Sequence, residues 1–204
     1  MPRDLRPAFL ALWRLDLAFA DVVTSSSDAQ LGAIRMAWWR ERLDELDGGK
    51  SAASEPRLQT VATELLPSGI GGHELSRLED AWLPLLEPFP WTEAAAEGLA
   101  LRGRILFGIG ARLLNEPAEE AEAAGAFWSL VDGAHHCSDQ RSRELLSQSA
   151  QHLLASLRTK MARRLRPLTA LAALAAVDLI REGRGVARVS AVLRHRRTGA
   201  MPHS

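Results

Sequence analysis

Few residues in this chain have types and spacing that could do chemistry. Two acids, Asp16 and Asp21, stand in an apolar N-terminal stretch. Carboxylates one helical turn apart are hard oxygen ligands that can hold Mg²⁺. At 3.6 residues per turn, however, Asp16 and Asp21 point about 140° apart and do not form such a pair. Taken alone, Asp21 reads as an acid at a helix end. His135-His136-Cys137 contains metal-ligand types, but neighbours on a helix point about 100° apart and no second cluster completes a tetrahedral zinc site. That run reads as a polar, partly buried helix end. Arg35 sits on a helix where it can reach an anionic head group, or pair with Asp16, Asp21 or another acid of the first helix. Trp38 and Trp39 each bring a large ring and an indole N–H, and read as core residues facing two different neighbours. There is no G-x-S-x-G, no phosphate-binding P-loop, no G-x-G-x-x-G after a strand and no H-E-x-x-H.

The elements that must position these residues are helices. Ala, Leu, Arg and Glu dominate, while alternating runs of Val, Ile and Thr are missing. Leu5 to Val23 repeats apolar residues at Leu5, Phe9, Leu12, Trp13, Leu17, Ala20 and Val23, with Pro7 in its first turn. Ser27 or Asp28 can cap the second helix. This helix, Leu31 to Leu46, carries Leu31, Ile34, Trp38, Trp39, Leu43 and Leu46 at helical spacing and stops at Gly48-Gly49. Further helices are expected over Arg57 to Leu66, His73 to Leu86, Thr92 to Leu114, Ala118 to about Cys137, Arg141 to Leu165, Leu168 to Arg181 and Val186 to Arg196. A turn is expected at Glu182-Gly183-Arg184-Gly185, and a disordered tail over about 198–204. Gly103, Gly108 and Gly110 inside one helix each cost about 1 kcal/mol relative to Ala, which suggests close approach of another helix or a ligand.

The 204 residues suit one domain with a sizeable core, all-α, and no linker divides them. The single cysteine, Cys137, excludes an internal disulfide and fits a reducing compartment. Arg14 and Asp16 interrupt the first apolar run, and Leu168 to Val177 falls short of the ~20 residues of a membrane span. A cytoplasmic protein is expected, with peripheral contact to the inner membrane as an option. Net charge is zero, but from Arg158 onward there are 11 Lys or Arg against 2 acids, leaving 14 against 23 before it. Such a basic tail can touch anionic lipid or nucleic acid, or pair with the acidic body.

Three segments carry a resemblance. The stretch L-G-x-I-R-x-x-W-W-R-x-x-L, Leu31 to Leu43, follows a long apolar helix and resembles the second helix of the squalene/phytoene synthase family. Leu193-Arg194-His195-Arg196-Arg197-Thr198-Gly199 and Arg166-Pro167-Leu168-Thr169-Ala170-Leu171 resemble the C-terminal pattern of its proteobacterial members. The resemblance implies a single all-α bundle of the class I isoprenoid (terpenoid) synthase type, here trimmed, since the chain starts almost directly at the first helix. Active members carry D-D-x-x-D at the end of that helix and D-x-x-x-D on a later facing helix, holding Mg²⁺ against a substrate diphosphate. The matching positions of the first motif are Ala20, Asp21, Val22, Val23 and Thr24, of which one is acidic. On the later helix, Gly125 to Gln140, Asp132, His136 and Asp139 fall near the required spacing but not on it.

The resemblance therefore implies a non-catalytic relative without a cofactor, similar to the branch that includes the mitochondrial complex I assembly factor. Such a protein would bind an isoprenoid or lipid, or a protein partner in an assembly role, with Asp16, Arg35, Trp38 and Trp39 as ligand-binding candidates. The rival is an active Mg²⁺-dependent prenyltransferase condensing isoprenyl diphosphates, which needs Asp132 and Asp139 opposite Asp16 and Asp21. A third reading gives the basic tail a membrane surface or a nucleic acid. Scarce tail aromatics argue against stacking on a single strand.

Overall fold

The computed structural model describes residues 3–181 and 185–202, all-helical apart from connecting turns and one isolated bridge. It divides into two compact units, one ending at Pro88 and one starting at Phe89. Among the described residues no helix is long and apolar enough to cross a membrane.

In the first unit, α1 (Arg6–Ser25) packs on α3 (Pro56–Glu64), and α2 (Ala29–Asp47) packs on the short α4 (Gly72–Ser76). The short α5 (Leu78–Trp82) touches both α1 and α2. Local chemistry sets the boundaries. The Asp28 carboxylate accepts from the backbone N–H groups of Gln30 and Leu31, capping α2. Glu55 does the same for α3 through Leu58 N–H, with Pro56 in the first turn. Both oxygens of Asp47 accept from the start of α4, at Gly72 and His73.

Two faces are rotated from the expected ones. In α1 the buried set is Ala8, Phe9, Ala11, Leu12, Leu15, Ala18, Phe19 and Val22, while Leu17 points outward. In α2 it is Gly32, Met36, Trp39, Leu43 and Leu46, which leaves Leu31, Ile34 and Trp38 exposed. In each case the winning stripe contains small residues that let a neighbour approach. A Cβ on Gly32 would sit 3.1 Å from a methyl group of Leu86, and closer to the other. The helix expected over His73 to Leu86 is broken at Arg77 and continues as a 3₁₀ turn, Leu83–Leu86. Ser76 bonds back to the His73 carbonyl at the break, and Pro84 brings no N–H. Leu75, Leu78, Trp82 and Leu85 along this stretch are buried all the same.

The second unit is built on α6 (Glu93–Leu113) and α7 (Glu119–His136), which pack along their length. The helices α8 (Gln140–Ser156) and α9 (Arg166–Arg181) pack on α7, and α10 (Gly185–Thr198) packs on α9. Gly103 is where α6 meets the backbone of α7 at Gly125 and Ala126, so the cost of that glycine is repaid by contact between helices.

The helix expected to run to Leu165 stops at Ser156 instead, and the expected disordered tail is docked through Pro202. The two corrections share one cause. Met161 N–H donates to the Gly199 carbonyl at 2.9 Å and Met201 N–H to the Thr159 carbonyl at 3.0 Å, around a bridge between Lys160 and Ala200. Backbone paired across that gap is not available for a helix. Gly199, with φ of 80°, makes the turn into it, and Met201 is buried. The turn expected at 182–184 lies outside the described residues, and Gly185 already belongs to α10.

Candidate functional site

Each carboxylate singled out as chemically suggestive holds a structural partner. Asp16 is buried on α1 and accepts from the Trp82 indole N–H at 3.0 Å. Asp21 lies exposed near the end of α1, paired with Arg57 of α3 at 2.9 Å. Arg35 pairs with neither acid. Its guanidinium donates to the hydroxyls of Ser25 at 2.9 Å and Ser26 at 3.2 Å, tying α2 to the C-terminal end of α1. The expected Arg35 pairing fails because Arg57 and Trp82 already hold the two carboxylates.

Trp39 is 7% exposed and packs on Phe19 with centroids 6.0 Å apart, whereas Trp38 is 39% exposed and meets Trp39 edge-on at 5.3 Å. The pair therefore contributes one core residue and one surface residue. The second ring is displaced because adjacent helix positions diverge by about 100° and Trp39 takes the inward one.

In the second unit, Asp132 on α7 pairs at 2.9 Å with Arg102 of α6. The Arg102 side chain is 8% exposed; its guanidinium also donates to Ser129 at 3.2 Å and lies 4.9 Å over the ring of Trp128. A buried arginine with a carboxylate and an aromatic face is a packed ion pair of the α6–α7 core. Asp139 caps α8, its Oδ1 accepting from both the hydroxyl and the backbone N–H of Ser142. The Ser142 hydroxyl bond, then the backbone bond, hold this carboxyl below the usual aspartate range. His135 and His136 are exposed at the end of α7, and His136 Nδ1 lies 2.8 Å from the Asp132 carbonyl. Cys137 is buried, with its thiol aimed at the Asp139 carbonyl.

Within neither unit do three or more described His, Cys, Asp or Glu gather in a way that could hold a metal. Arg57 on Asp21 and Ser142 on Asp139 each engage one carboxylate oxygen, and no third such group stands beside either within its unit to complete a Mg²⁺ site.

The two C-terminal segments named above come together. His195 of α10 is fully buried against α9, its Nδ1 3.1 Å from the Ala200 carbonyl and its Nε2 2.8 Å from the Thr169 hydroxyl. Since a carbonyl only accepts, Nδ1 carries a proton, while the Thr169 hydroxyl lies between Nε2 and the Leu165 carbonyl, 3.1 Å from the latter. Arg166 donates to the carbonyls of Arg196 at 3.3 Å and Arg197 at 2.8 Å, a cation at the carbonyl end of α10. Burial pushes the His195 imidazole below its ordinary value; the Ala200 bond opposes that shift and the Arg166 charge adds to it. Beside this clamp lies a cavity of about 400 Å³, whose walls include Val177, Ile180, Ala187, Ala191, Arg194 and Met201. Its walls are about as polar as apolar, with Ser190 and Arg194 beside the aliphatic side chains, and its size is within the range of ligand pockets.

Sequence reasoning missed Trp82, Arg57, Arg102 and Thr169 as partners, because each lies 26 to 66 positions from the group it holds. No family model matches the chain, and neither a curated protein nor a solved structure matches it.

Proposed function

We propose that this chain is a squalene/phytoene synthase-like helical protein of the class I terpenoid synthase type that binds an isoprenoid or lipid and performs no prenyl transfer. The observation that carries this reading is the engagement of Asp16, Asp21, Asp132 and Asp139 in an indole bond, two ion pairs and a helix cap. Prenyl transfer needs carboxylates gathered on Mg²⁺ around a diphosphate, and each of these four already gives an oxygen to a partner within the fold. Further support comes from the contact between the two C-terminal segments that carry the resemblance, through Thr169 and His195. The cavity between α9 and α10 offers Val177, Ile180 and Met201 to an apolar chain and Arg194 to an anionic head. An assembly-helper role fits a protein that holds such a ligand without transforming it.

The test is mass spectrometry of the intact protein, with solvent extraction of what it carries, followed by displacement of a fluorescent farnesyl probe. The expected result is a bound isoprenoid or acyl lipid and probe binding that Ala191→Phe abolishes by filling the cavity. Failure of the folded protein to bind any apolar probe would overturn the reading, as would magnesium-dependent turnover of an isoprenyl diphosphate.

A further inference from the structure

The outer face of α10 combines two features that packing alone does not call for. Val186, Val189 and Leu193 are 81%, 61% and 60% exposed. At 100° per residue they fall within a stripe about 60° wide. On the same wheel Arg196 flanks the stripe on one side and Arg197 on the other, with Arg194 beyond it. The described part of this face carries no acid, because α10 and residues 199–202 contain neither Asp nor Glu.

The expected pairing of the basic tail with the acidic body is met at Arg158 and Arg164, while Arg188 pairs with an acid of the tail itself. Arg158 reaches Glu120 at 2.7 Å, Arg164 reaches Glu116 at 3.7 Å and Arg188 reaches Asp178 at 3.3 Å. Among the described residues no carboxylate pairs with Arg194, Arg196 or Arg197. Meanwhile His195 and the Arg166 bonds to the Arg196 and Arg197 carbonyls lock the other side of α10 to α9, fixing which face looks outward.

We infer that this face of α10 is a docking surface for an anionic lipid bilayer, with Val186, Val189 and Leu193 entering the interface and Arg196 and Arg197 at the lipid phosphates. A stripe of aliphatic side chains bordered by arginines matches a surface that is apolar below and negative above. A nucleic acid would use the arginines but leave the stripe in water, and a second copy of the chain would bring arginine against arginine. The inference does not depend on the cavity, whose occupant enters between α9 and α10.

The test is flotation of the full chain with vesicles of phosphatidylcholine alone and with a third of phosphatidylglycerol. Binding to the anionic vesicles is expected, at least tenfold weaker on neutral ones and falling as salt rises. Val189→Gln with Leu193→Gln should lower it at least tenfold, and Arg196→Gln with Arg197→Gln should remove the preference for anionic lipid. Both double variants alter exposed side chains, so their melting should match the parent, which is checked alongside. Ala191→Phe, aimed at the cavity, should leave flotation unchanged. Absence of flotation, or flotation insensitive to the Val189 and Leu193 changes, would overturn the inference. So would a salt-sensitive shift of duplex DNA or RNA without vesicle binding, or a concentration-dependent dimer that the same changes dissolve.

Discussion

Replacing Gly103 by alanine puts the α6–α7 contact under a direct load. A Cβ there would lie 2.8 Å from the Ala126 nitrogen and closer still to the Gly125 carbonyl, where ordinary contact begins at 3.4 Å. On the other helix, a Cβ at Gly125 would fall on the Gly103 carbonyl and 2.7 Å from both Cβ and Cγ of Phe107. Backbone lies on both sides of the clash, so rotation of a side chain does not relieve it. The helices must separate, loosening buried Leu106, Phe107, Phe127 and Leu130. Overpacking of this kind costs about 3 kcal/mol at the upper end of its usual range. Alanine returns about 1 kcal/mol of helix propensity, leaving a net loss of about 2 kcal/mol. For a chain of this length that lowers the melting temperature by about 4–8 °C. Far-UV circular dichroism against temperature and against urea reads the effect. Since one separation relieves both positions, the Gly103→Ala/Gly125→Ala double variant should lose less than the two single losses added together. A Gly103→Ala variant more stable than the parent by the propensity term would refute the close approach.

The carboxylates give a graded set of outcomes. Asp132→Ala removes one carboxylate that pairs with the buried Arg102 and should cost about 1.5–3 kcal/mol in urea denaturation, less than a fully buried pair because Asp132 is partly exposed. Asp21→Ala breaks an exposed pair with Arg57 and should change stability by less than about 0.5 kcal/mol in the same assay. Asp16→Leu removes the buried carboxylate that accepts from the Trp82 indole N–H and should cost about 1–3 kcal/mol, read by thermal melting. His195 gives a pH dependence. Its folded-state value is depressed, so the unfolded chain takes the proton first; stability should hold above about pH 6.5 and fall as pH drops below it, through the folded value. His195→Gln should flatten that part of the melting-temperature profile.

The helical class was legible because periodicity and caps are local. Asp28 before α2, Pro56 at the start of α3 and Asp139 before α8 sit where short-range chemistry puts them. The faces were harder to read. Leu31, Ile34 and Trp38 of α2 form as good a stripe as Gly32, Met36, Trp39 and Leu43, and what decides between them is the space at Gly32, set by a residue 54 positions away. The end of α8 was hidden for a similar reason, since residues 159–161 leave the helix to pair with residues 199–201. Among the candidate site residues, the types were visible and their partners were not. Asp16 reads as a possible ligand until Trp82 is seen against it, and Asp132 until Arg102 is.

The central claim, that the acids suggestive of metal binding serve the fold, is tested most directly by magnesium-dependent diphosphate release. Farnesyl and geranylgeranyl diphosphate are offered to the purified, folded chain and to Asp21→Ala. The account predicts release no faster than the protein-free reaction for both proteins, with and without Mg²⁺. Release by the parent that requires Mg²⁺ and is lost in Asp21→Ala would contradict it, and would show that Asp21 leaves Arg57 to bind the ion.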